Sequence, residues 1–464
     1  MLTIFDRDDR MHRRSFLKVG SLALGGLSLM NLLQAKAAEP RRPVLRDRSV
    51  VFLFLHGGPS QIETFDPKMG APVEFRSATG EVQTRIPGVT LGGTFPKLAN
   101  LMDKVSIVRS YVPGDGNHDI KPVVSRDTFG ANLGSIYSRI AGRNHPESGM
   151  PTNVLLLPRA VDDTTRPGTT AFGRFTSTGM LGQAYAPFDP STGSTLQSDM
   201  RLALPMDRLS DRRHLLSQLD QVQWAAAERA TVDGIDRVRE QAMSTVLGGV
   251  ADAFDLSKED PRVLAAYDTA PLIRPENIDR RWNNYNNYVD NAKSLGKLML
   301  LARRLCERGA GFVTVTTNFV WDMHADVNNA PVGEGMGYMG VPLDWALSAF
   351  IDDLEARGLS DKILLVVCGE IGRTPRINRM GGRDHWGNLG PLLFAGGGLR
   401  MGQVIGRSTP NGGEPASSPV RIQNVIATIM NQVFDMGEVR LIPGLPREIG
   451  QTMPGWETID GLTA

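Results

Sequence analysis

The strongest constraint on the fold is an unbroken run of six apolar residues, Ile363–Cys368, which is followed directly by Gly369 and Glu370. The run is far too short to cross a membrane, and charged residues flank it. Three of its residues are β-branched, which is typical of a strand buried on both faces in a parallel sheet. In such sheets ligands bind at the carboxyl ends of the strands. The sequence therefore predicts a binding edge that includes Glu370 and, shortly after it, Arg373.

Five further apolar runs of the same character are spread along the chain. They are Val50–Leu55, Val105–Val108, Val154–Leu157, Phe312–Thr317 and Leu392–Ala395. Apolar residues at helical spacing occur between residues 295 and 305 and between residues 343 and 354. Strands that alternate with such helices predict a mostly parallel sheet with right-handed crossovers. A region without any strand pattern, at about residues 203–270, is predicted to be a mainly helical insertion.

Composition limits the classes of function. The chain of 464 residues has a formal net charge of +1, so no basic excess indicates a nucleic-acid partner. Its two cysteines, Cys306 and Cys368, are too few for a thiolate metal cluster or a disulfide scaffold. A single disulfide between them stays open. The alternative is two buried free cysteines, which pack as small apolar residues.

The N-terminus carries an export signal. The segment RRSFLK (residues 13–18) resembles the twin-arginine motif, and a mildly apolar run and the sequence AKA (residues 35–37) follow it. This order of charged, apolar and cleavable regions predicts a signal peptide over residues 1–37, and a mature α/β domain over residues 38–464. The alternative is an amphipathic helix of the mature fold. The twin-arginine route places the mature protein in the periplasm or at the cell surface, and it favours a cofactor loaded in the cytoplasm.

Four of the seven histidines lie in loops just past predicted strands or in the turns after them. They are His56, His118, His324 and His385. Imidazoles and carboxylates that converge on one edge, without thiolates, suit one or two divalent ions such as Zn²⁺ or Mn²⁺. Two such ions can polarise a phosphoryl oxygen and activate a nucleophile. Two arginines nearby in the sequence, Arg373 and Arg383, are predicted to bind an anionic ester.

Each of these groups also has a simpler structural interpretation. A short segment such as Asp322–His324 is often a capped loop, and Asp384 in a glycine-rich turn often caps that turn. His56 is as readily a core histidine, and Glu370 can form an ion pair with Arg373. Placement favours a functional site, because the simpler interpretations do not predict that the groups cluster at strand ends.

Six segments resemble, in the same order along the chain, the bacterial exported family catalogued as domain of unknown function 1501. They are HGGPSQIETFDPK (56–68), GDGNHD (114–119), LGQAYAPFD (181–189), WDMH (321–324), EIGRTPRIN (370–378) and GGRDHWGN (381–388). That family is placed in the alkaline-phosphatase-like and sulfatase-like superfamily. The resemblance implies a three-layer α/β/α sandwich with a two-metal site at the carboxyl edge of the sheet.

The resemblance also implies roles for individual residues. The implied metal ligands are His56, Asp322, His324, Glu370, Asp384 and His385. The superfamily takes its nucleophile from the loop after the second strand, where this chain has Asn117, His118 and Asp119 instead of Ser, Thr or Cys. These three are the candidate catalytic residues. A histidine nucleophile, direct attack by a metal-activated water and the absence of catalysis all stay open.

Two functions are compatible with this pattern. The first is an exported metal-dependent hydrolase of phosphate or sulfate esters, and clusters of titratable groups at strand ends favour it. The second is a non-catalytic binding or assembly protein with the same fold. For that function the resemblance implies an exported cytochrome-bearing protein as the partner, because members of the family are often encoded beside such proteins.

Overall fold

The computed structural model describes residues 43–192 and 250–463. It also describes four residues near the N-terminus, which form a short antiparallel ladder of Phe5–Asp6 with Asp9–Arg10. All side-chain contacts discussed below belong to the two long described ranges.

The chain divides into two units, Met1–Val44 and Leu45–Ala464. The predicted signal peptide, residues 1–37, falls in the first unit and, apart from the short ladder, outside the described residues. Most of the predicted insertion at about residues 203–270 is also outside them, and only the part from residue 250 is described. Among the described residues, no helix is both long and apolar enough to span a membrane.

The second unit is built on a seven-stranded sheet. Its strands, in chain order, are β1 (Ser49–Phe54), β2 (Val105–Val108), β3 (Asn153–Leu156), β4 (Phe312–Thr316), β5 (Ile363–Cys368), β6 (Leu392–Gly396) and β7 (Val404–Ile405). Their order across the sheet is β7–β2–β6–β5–β1–β4–β3. All six predicted strands are present, and the sequence does not predict β7 because two residues carry no periodic pattern.

The sheet is mostly parallel, as predicted. Strand β1 lies between β5 and β4 and is parallel to both, and β3 is parallel to β4. Strand β6 is the exception, since it is antiparallel to both β5 and β2. Because β6 runs in the opposite direction, the glycines that follow it, Gly396–Gly398, lie at the edge opposite to that of Glu370.

The register of the three central strands aligns their ends. Phe54 of β1 is level with Cys368 of β5 and with Thr316 of β4. Two residues further along β1 and β5 come His56 and Glu370. In parallel strands, residues of the same parity point to the same face. The register therefore brings both side chains to one part of the carboxyl edge.

Helices cover both faces of the sheet. Within residues 43–192 and 250–463, those of seven residues or more are α1 (Leu133–Ala141), α2 (Pro261–Tyr267), α3 (Tyr285–Glu307), α4 (Val332–Ala356) and α5 (Ile422–Val433). Val51 and Leu53 of β1 belong to the buried apolar cluster that includes α3 and α4. On the other face, Tyr137 of α1 contacts Phe312, whose ring stacks on Phe52, and α5 contacts β1. The predicted three-layer α/β/α sandwich is confirmed.

Neither cysteine forms a disulfide. Cys306 of α3 and Cys368 of β5 are free and buried. Burial raises the pKa of the Cys306 thiol to about 12. Both side chains therefore act as small packing residues, which is the second of the two alternatives that the sequence leaves open.

Shorter elements connect this framework. Four-residue helices lie at Gln61–Thr64, Pro96–Ala99, Ala251–Phe254 and Met436–Val439. Short strands pair as Glu81–Gln83 with Thr90–Gly92, Tyr111–Val112 with Val420–Arg421, and Gly372–Arg373 with His385–Trp386. The last pair bears on the site, because it places Arg373 directly opposite His385.

Candidate metal centre

Three loops at the carboxyl edge of the sheet carry the side chains of the site. The segment after β2 carries His118, and the loop after β4 carries Asp322 and His324. The short strand pair after β5 carries His385. Residues from three distant parts of the sequence therefore meet at the carboxyl edge, beyond the ends of β2, β4 and β5, where open α/β sheets bind their ligands.

The structure groups four side chains closely enough to hold one metal ion. They are His118, Asp322, His324 and His385, and one ligand atom from each lies within 4.8 Å of all the others. Asp322 Oδ1 is 2.8 Å from His324 Nε2 and 3.3 Å from the Nε2 atoms of both His118 and His385. The Nε2 atoms of His118 and His385 are 2.8 Å apart.

These separations match the edges of a metal-binding tetrahedron. With zinc–nitrogen and zinc–oxygen bonds of about 2.0–2.1 Å, two tetrahedral ligand atoms are about 3.3 Å apart. Four of the six separations among the ligand atoms lie between 2.8 and 3.3 Å, and all of them lie within 4.8 Å. Three imidazoles and one carboxylate are also a ligand set that suits zinc or a similar divalent ion. The residues present therefore fit one such ion.

Two further carboxylates fix the orientation of the imidazoles. His118 Nδ1 is 2.7 Å from Glu370 Oε1, and His324 Nδ1 is 3.2 Å from Asp384 Oδ1. A carboxylate can only accept a hydrogen bond, so each Nδ1 carries a proton, and with an ion bound each Nε2 would present its lone pair to that ion. Carboxylates behind ligand histidines are a recurrent feature of metal sites.

Two glycines permit these close approaches. Gly57, just past β1, has a φ of +112° and donates its N–H to Glu370 Oε1 at 2.9 Å. A Cβ on Gly57 would lie 2.6 Å from the backbone nitrogen of Trp321. A Cβ on Gly382 would lie 2.1 Å from the carbonyl of His324. Side chains at either position would push the loop after β4 away from the carboxyl edge.

Asp322 is the electrostatic centre of the cluster. Its Oδ1 also accepts a hydrogen bond of 2.6 Å from Arg373 Nη2. Burial alone would raise the pKa of Asp322, but the hydrogen bonds from the three histidines and the charge of Arg373 hold it far below the usual range. Asp322 is therefore an ionised carboxylate at any physiological pH, as a metal ligand must be.

Protons compete with a cation for the same imidazoles. Burial lowers the pKa of His118, but its hydrogen bonds to Asp322 and Glu370 outweigh burial, and the pKa lies above the ordinary value. The pKa of His324 is raised in the same way, chiefly by Asp322 against burial. A metal-binding imidazole nitrogen must be unprotonated. Metal affinity should therefore fall as the pH is lowered.

A family model described as "Protein of unknown function (DUF1501)" matches residues 47–439. The chain belongs to the DUF1501 family. No curated protein matches the sequence.

This DUF1501 chain is similar to solved structures at low sequence identity. They include the PsFucS1 sulfatase from Pseudoalteromonas sp., at 10% identity and a TM-score of 0.35, with 86% of this chain and 69% of that chain covered. They also include the phosphonate monoester hydrolase SpPMH from Silicibacter pomeroyi, at 11% identity and a TM-score of 0.34, with 83% and 73% covered. Likenesses at this level carry no information about the substrate of this DUF1501 protein.

The structure does not bring His56 into the group of four. The ring of His56 lies among Phe54, Phe172, Phe175 and Phe319, with centroid separations of 5.6, 5.9, 5.7 and 5.1 Å. Its Nε2 is buried and has no hydrogen-bond partner among the described residues. Burial lowers the pKa of His56 to about 4. His56 is thus a neutral histidine in an aromatic environment, as the core interpretation describes.

Arg373 is buried and connects Asp322 of the centre to the backbone after β1. It donates to the carbonyls of Gly57 and Gly58 and to Asp322, and its Nη1 lies 3.3 Å from His324 Nε2. Its carboxylate partner is Asp322, so the described residues do not contain the ion pair with Glu370 that the sequence also allows. Arg373 positions a ligand carboxylate and has little freedom to bind a substrate.

Arg383 is fully buried away from the four ligand atoms. Its Nε and Nη2 atoms lie 3.2 and 3.0 Å from Glu63 Oε1, which is also fully buried. Its remaining N–H groups donate to the carbonyls of Phe75, Arg76, Thr374 and Pro375. Because protein acceptors use the whole guanidinium, Arg383 stabilises the turn before His385 and is not positioned to bind an anion.

The other two candidate catalytic residues point away from the cluster. Asn117 and Asp119 are exposed. Asp119 Oδ1 is 2.6 Å from the ammonium of Lys121, which also contacts Asp115 at 2.5 Å and the carbonyl of Asn117 at 3.1 Å. Lys121 therefore holds the loop in shape, and of the three residues only His118 reaches the centre.

A cleft of about 770 Å³ opens beside the cluster. His324 and Asp384 form the part of its wall that belongs to the centre. The remainder of its wall includes Arg281, Trp282, Val327 and Met380. The side chains of His324 and His385 are 22% and 37% exposed, so the group of four is accessible from one side.

Two kinds of residue near the centre are not among those that the sequence predicts. Asn378 donates to the carbonyl of His324 at 3.0 Å and to Asp384 Oδ1 at 3.1 Å, and it accepts from the backbone of Gly382 at 2.9 Å. An asparagine before a glycine pair is a turn signal that could have indicated this role. Arg281 and Trp282 of the cleft lie in a segment without a motif, and no pattern indicates them.

Proposed function

We propose that the protein is an exported, metal-dependent hydrolase of phosphate or sulfate esters. The observation that carries the proposal is the group of four ligand atoms from His118, Asp322, His324 and His385, whose separations suit one tetrahedral ion. Structural zinc sites are usually enclosed, whereas this group lies beside a large cleft and is partly exposed. An accessible ion next to a cleft is the arrangement expected of a catalytic site.

Zinc or manganese is the expected metal. An ion bound there would supply Lewis-acid chemistry, which polarises an ester oxygen and stabilises charge that develops on it. Zinc is favoured, because the ligand set is rich in imidazole and four of its six separations are close to those of a tetrahedral site. The sequence also allows a second ion, and the group of four accounts for one.

The remaining residues of the centre hold the ligand side chains in place. Glu370 and Asp384 hold the His118 and His324 rings so that each Nε2 faces the same point. Arg373 holds Asp322 through a charge-assisted hydrogen bond of 2.6 Å. In the described residues the hydrogen bonds of the four ligands include no Ser, Thr or Cys side chain, so no covalent nucleophile of these types is in contact with them. His118 is better explained as a ligand than as a nucleophile.

Export by the twin-arginine route is part of the proposal. The RRSFLK segment at residues 13–18 and the AKA sequence at residues 35–37 support it. Replacing Arg13 and Arg14 by lysine should leave the protein in the cytoplasm, as cell fractionation would measure. A variant that still reaches the periplasm would contradict this route.

Elemental analysis of the purified protein tests the metal centre. We expect about one or two equivalents of a divalent metal, with loss in His324→Ala and in His385→Ala. His145→Ala is a matched control, because His145 lies outside the group and its Nδ1 accepts from the backbone of Glu147 and Ser148. A folded protein without any bound metal would exclude the proposal. A panel of phosphate and sulfate esters then tests the class of reaction.

One observation favours the non-catalytic alternative. Four protein ligands complete a tetrahedral shell, as structural zinc sites do, and both Arg373 and Arg383 are engaged by protein acceptors. In that case the ion would stabilise a binding or assembly protein, whose partner would be the exported cytochrome-bearing protein that the family resemblance implies. Stoichiometric metal without turnover of any ester would select this alternative.

A further inference from the structure

The cleft beside the centre is lined partly by exposed apolar side chains near His324. The Val327 and Met380 side chains both line the cleft, and they are 66% and 71% exposed. The indole of Trp282 lines it as well, with its N–H already donated to Glu334 at 3.1 Å. Exposed apolar side chains that share one cleft indicate an apolar ligand more strongly than scattered ones do.

A second apolar surface lies beside His118. The rings of Phe172 and Phe319 stack on each other with centroids 4.4 Å apart and planes 27° apart. Both rings contact the His118 imidazole, at 5.3 and 4.8 Å. Both are only partly buried. The centre therefore has apolar side chains next to His118 as well as next to His324.

The basic side chains near the centre are engaged by other protein groups. Arg281 stacks on Trp282 at 4.1 Å and lies 3.1 Å from Asp279 and 3.5 Å from Glu334. Lys121 contacts two aspartates, as described above. Arg373, Arg383 and Lys121 are therefore held by protein acceptors, whereas the Arg281 side chain is 58% exposed and its charge is offset by the two neighbouring carboxylates.

Acidic groups offset much of the charge that an ion would bring. A divalent ion and the guanidinium of Arg373 together carry three positive charges, which Asp322, Glu370 and Asp384 balance. The cleft adds the carboxylate of Asp326. A substrate with two negative charges would meet little net attraction here, since close acidic groups repel it. A singly charged group bound to the ion itself avoids that repulsion.

We propose that the site takes singly charged esters with an apolar substituent, such as an aryl or alkyl sulfate or a diester of phosphate. Doubly charged phosphate monoesters and polyanionic chains should bind more weakly because of the same charges. This inference rests on the proposed function, because it concerns what the metal centre binds. Sulfate esters and phosphate diesters share the relevant chemistry, and the experiment below separates them.

A binding measurement on the zinc-loaded protein tests the charge and the apolar group separately. The probes are 4-methylbenzenesulfonate, 4-methylphenylphosphonate at a pH where it is doubly ionised, and methanesulfonate. The sulfonate and the phosphonate with the aryl ring differ in charge. The two sulfonates have the same charge and differ in the presence of the ring. We expect the aryl sulfonate to bind about tenfold more tightly than either of the others. The phosphonate is weakened by repulsion of its second charge, and methanesulfonate lacks the ring that the cleft would bury. Calorimetry supplies the dissociation constants.

Variants assign the effect to the cleft. Val327→Asp and Met380→Asp should weaken binding of the aryl sulfonate by about tenfold, since each replaces apolar contact by a like charge. Val73→Asp is the matched control, because Val73 is 68% exposed and lies outside the cleft. Asp326→Asn should reduce the preference for the singly charged probe, and it keeps an oxygen to accept from Asn328 and Asn329.

The outcomes separate this inference from the proposed function. If the zinc-loaded protein binds the phosphonate as tightly as the sulfonate, or binds neither, this inference is wrong while the metal centre stands. If the protein binds no metal, both fail. Turnover of an aryl sulfate, a diaryl phosphate and an aryl phosphate then tells the two sources of a singly charged ester apart. Faster turnover of the aryl phosphate than of the other two would overturn the inference.

Discussion

Replacing Glu370 by glutamine is the sharpest test of how the centre is held. Glu370 is fully buried, and its Oε1 lies 2.7 Å from His118 Nδ1 and 2.9 Å from the backbone nitrogen of Gly57. Its Oε2 is buried without a hydrogen-bond partner among the described residues. Glutamine keeps the shape and one acceptor oxygen but removes the charge. The change therefore acts on the basicity of His118 rather than on the packing.

The expected loss of metal affinity follows from that geometry. Removing an outer-shell partner of a ligand histidine usually costs about 10- to 100-fold in affinity, or about 1.4–2.8 kcal/mol. The metal-free protein should lose little stability. The amide nitrogen takes the place of an oxygen that already lacks a partner, and an unpartnered neutral group is less costly to bury than an unpartnered charge.

Competition against a chromophoric zinc chelator measures the affinity of Glu370→Gln, and thermal unfolding of the metal-free protein measures its stability. Asp384→Asn is the matched control. Asp384 supports His324 at 3.2 Å, but its side chain is 59% exposed, so its loss should cost about threefold or less. An affinity within twofold of the unsubstituted protein would refute the orienting role of Glu370. A fall from two bound equivalents to one would instead identify Glu370 as a ligand of a second ion.

Three further substitutions have definite expected outcomes. Arg383→Ala should destabilise the protein by about 3–5 kcal/mol in chemical denaturation, because it leaves the buried carboxylate of Glu63 unpaired; a loss confined to substrate binding would restore Arg383 as an anion ligand. Burial raises the pKa of Asp344 to about 6, above the unfolded value of about 3.9, so stability should fall by on the order of 3 kcal/mol as the pH rises from about 4 to 6. Asp344→Asn should remove this trend, and Asp352→Asn, at an exposed position of the same helix, should keep it. Because the folded pKa of His56 is lowered to about 4, stability relative to His56→Phe should be lost as the pH falls from about 6.5 to 4, and zinc affinity should not change if His56 is no ligand.

The sequence predicts the sheet well because its evidence is local. Each strand of four or more residues is an apolar run bounded by polar or glycine-rich segments, and β7, with two residues, lacks any such run. The edge that carries the centre also follows from the sequence, since parallel strands deliver their following loops to one side. The reversed direction of β6 does not follow, because an apolar run has the same pattern in either direction.

The roles of individual side chains depend on contacts that sequence spacing does not determine. His118 and Glu370 both follow buried strands, yet the imidazole reaches the group of four while the carboxylate lies behind it. Arg373 and Arg383 are ten residues apart with similar surroundings in the sequence, yet one contacts Asp322 and the other contacts Glu63. Which acid pairs with which arginine depends on how the loops pack, and only the three-dimensional structure specifies that.

The contact between His118 and His385 makes a proton and a metal ion compete for the same two nitrogen atoms. Their Nε2 atoms are 2.8 Å apart, and two lone pairs cannot face each other at that distance, so a proton or a cation must lie between them. A proton on either nitrogen satisfies one contact and is stabilised by Asp322. A divalent ion satisfies all four ligand atoms together, but only after that proton leaves. Metal binding should therefore displace the proton from the contact between the two imidazoles, and the arrangement of the loops should be retained whichever of the two is bound.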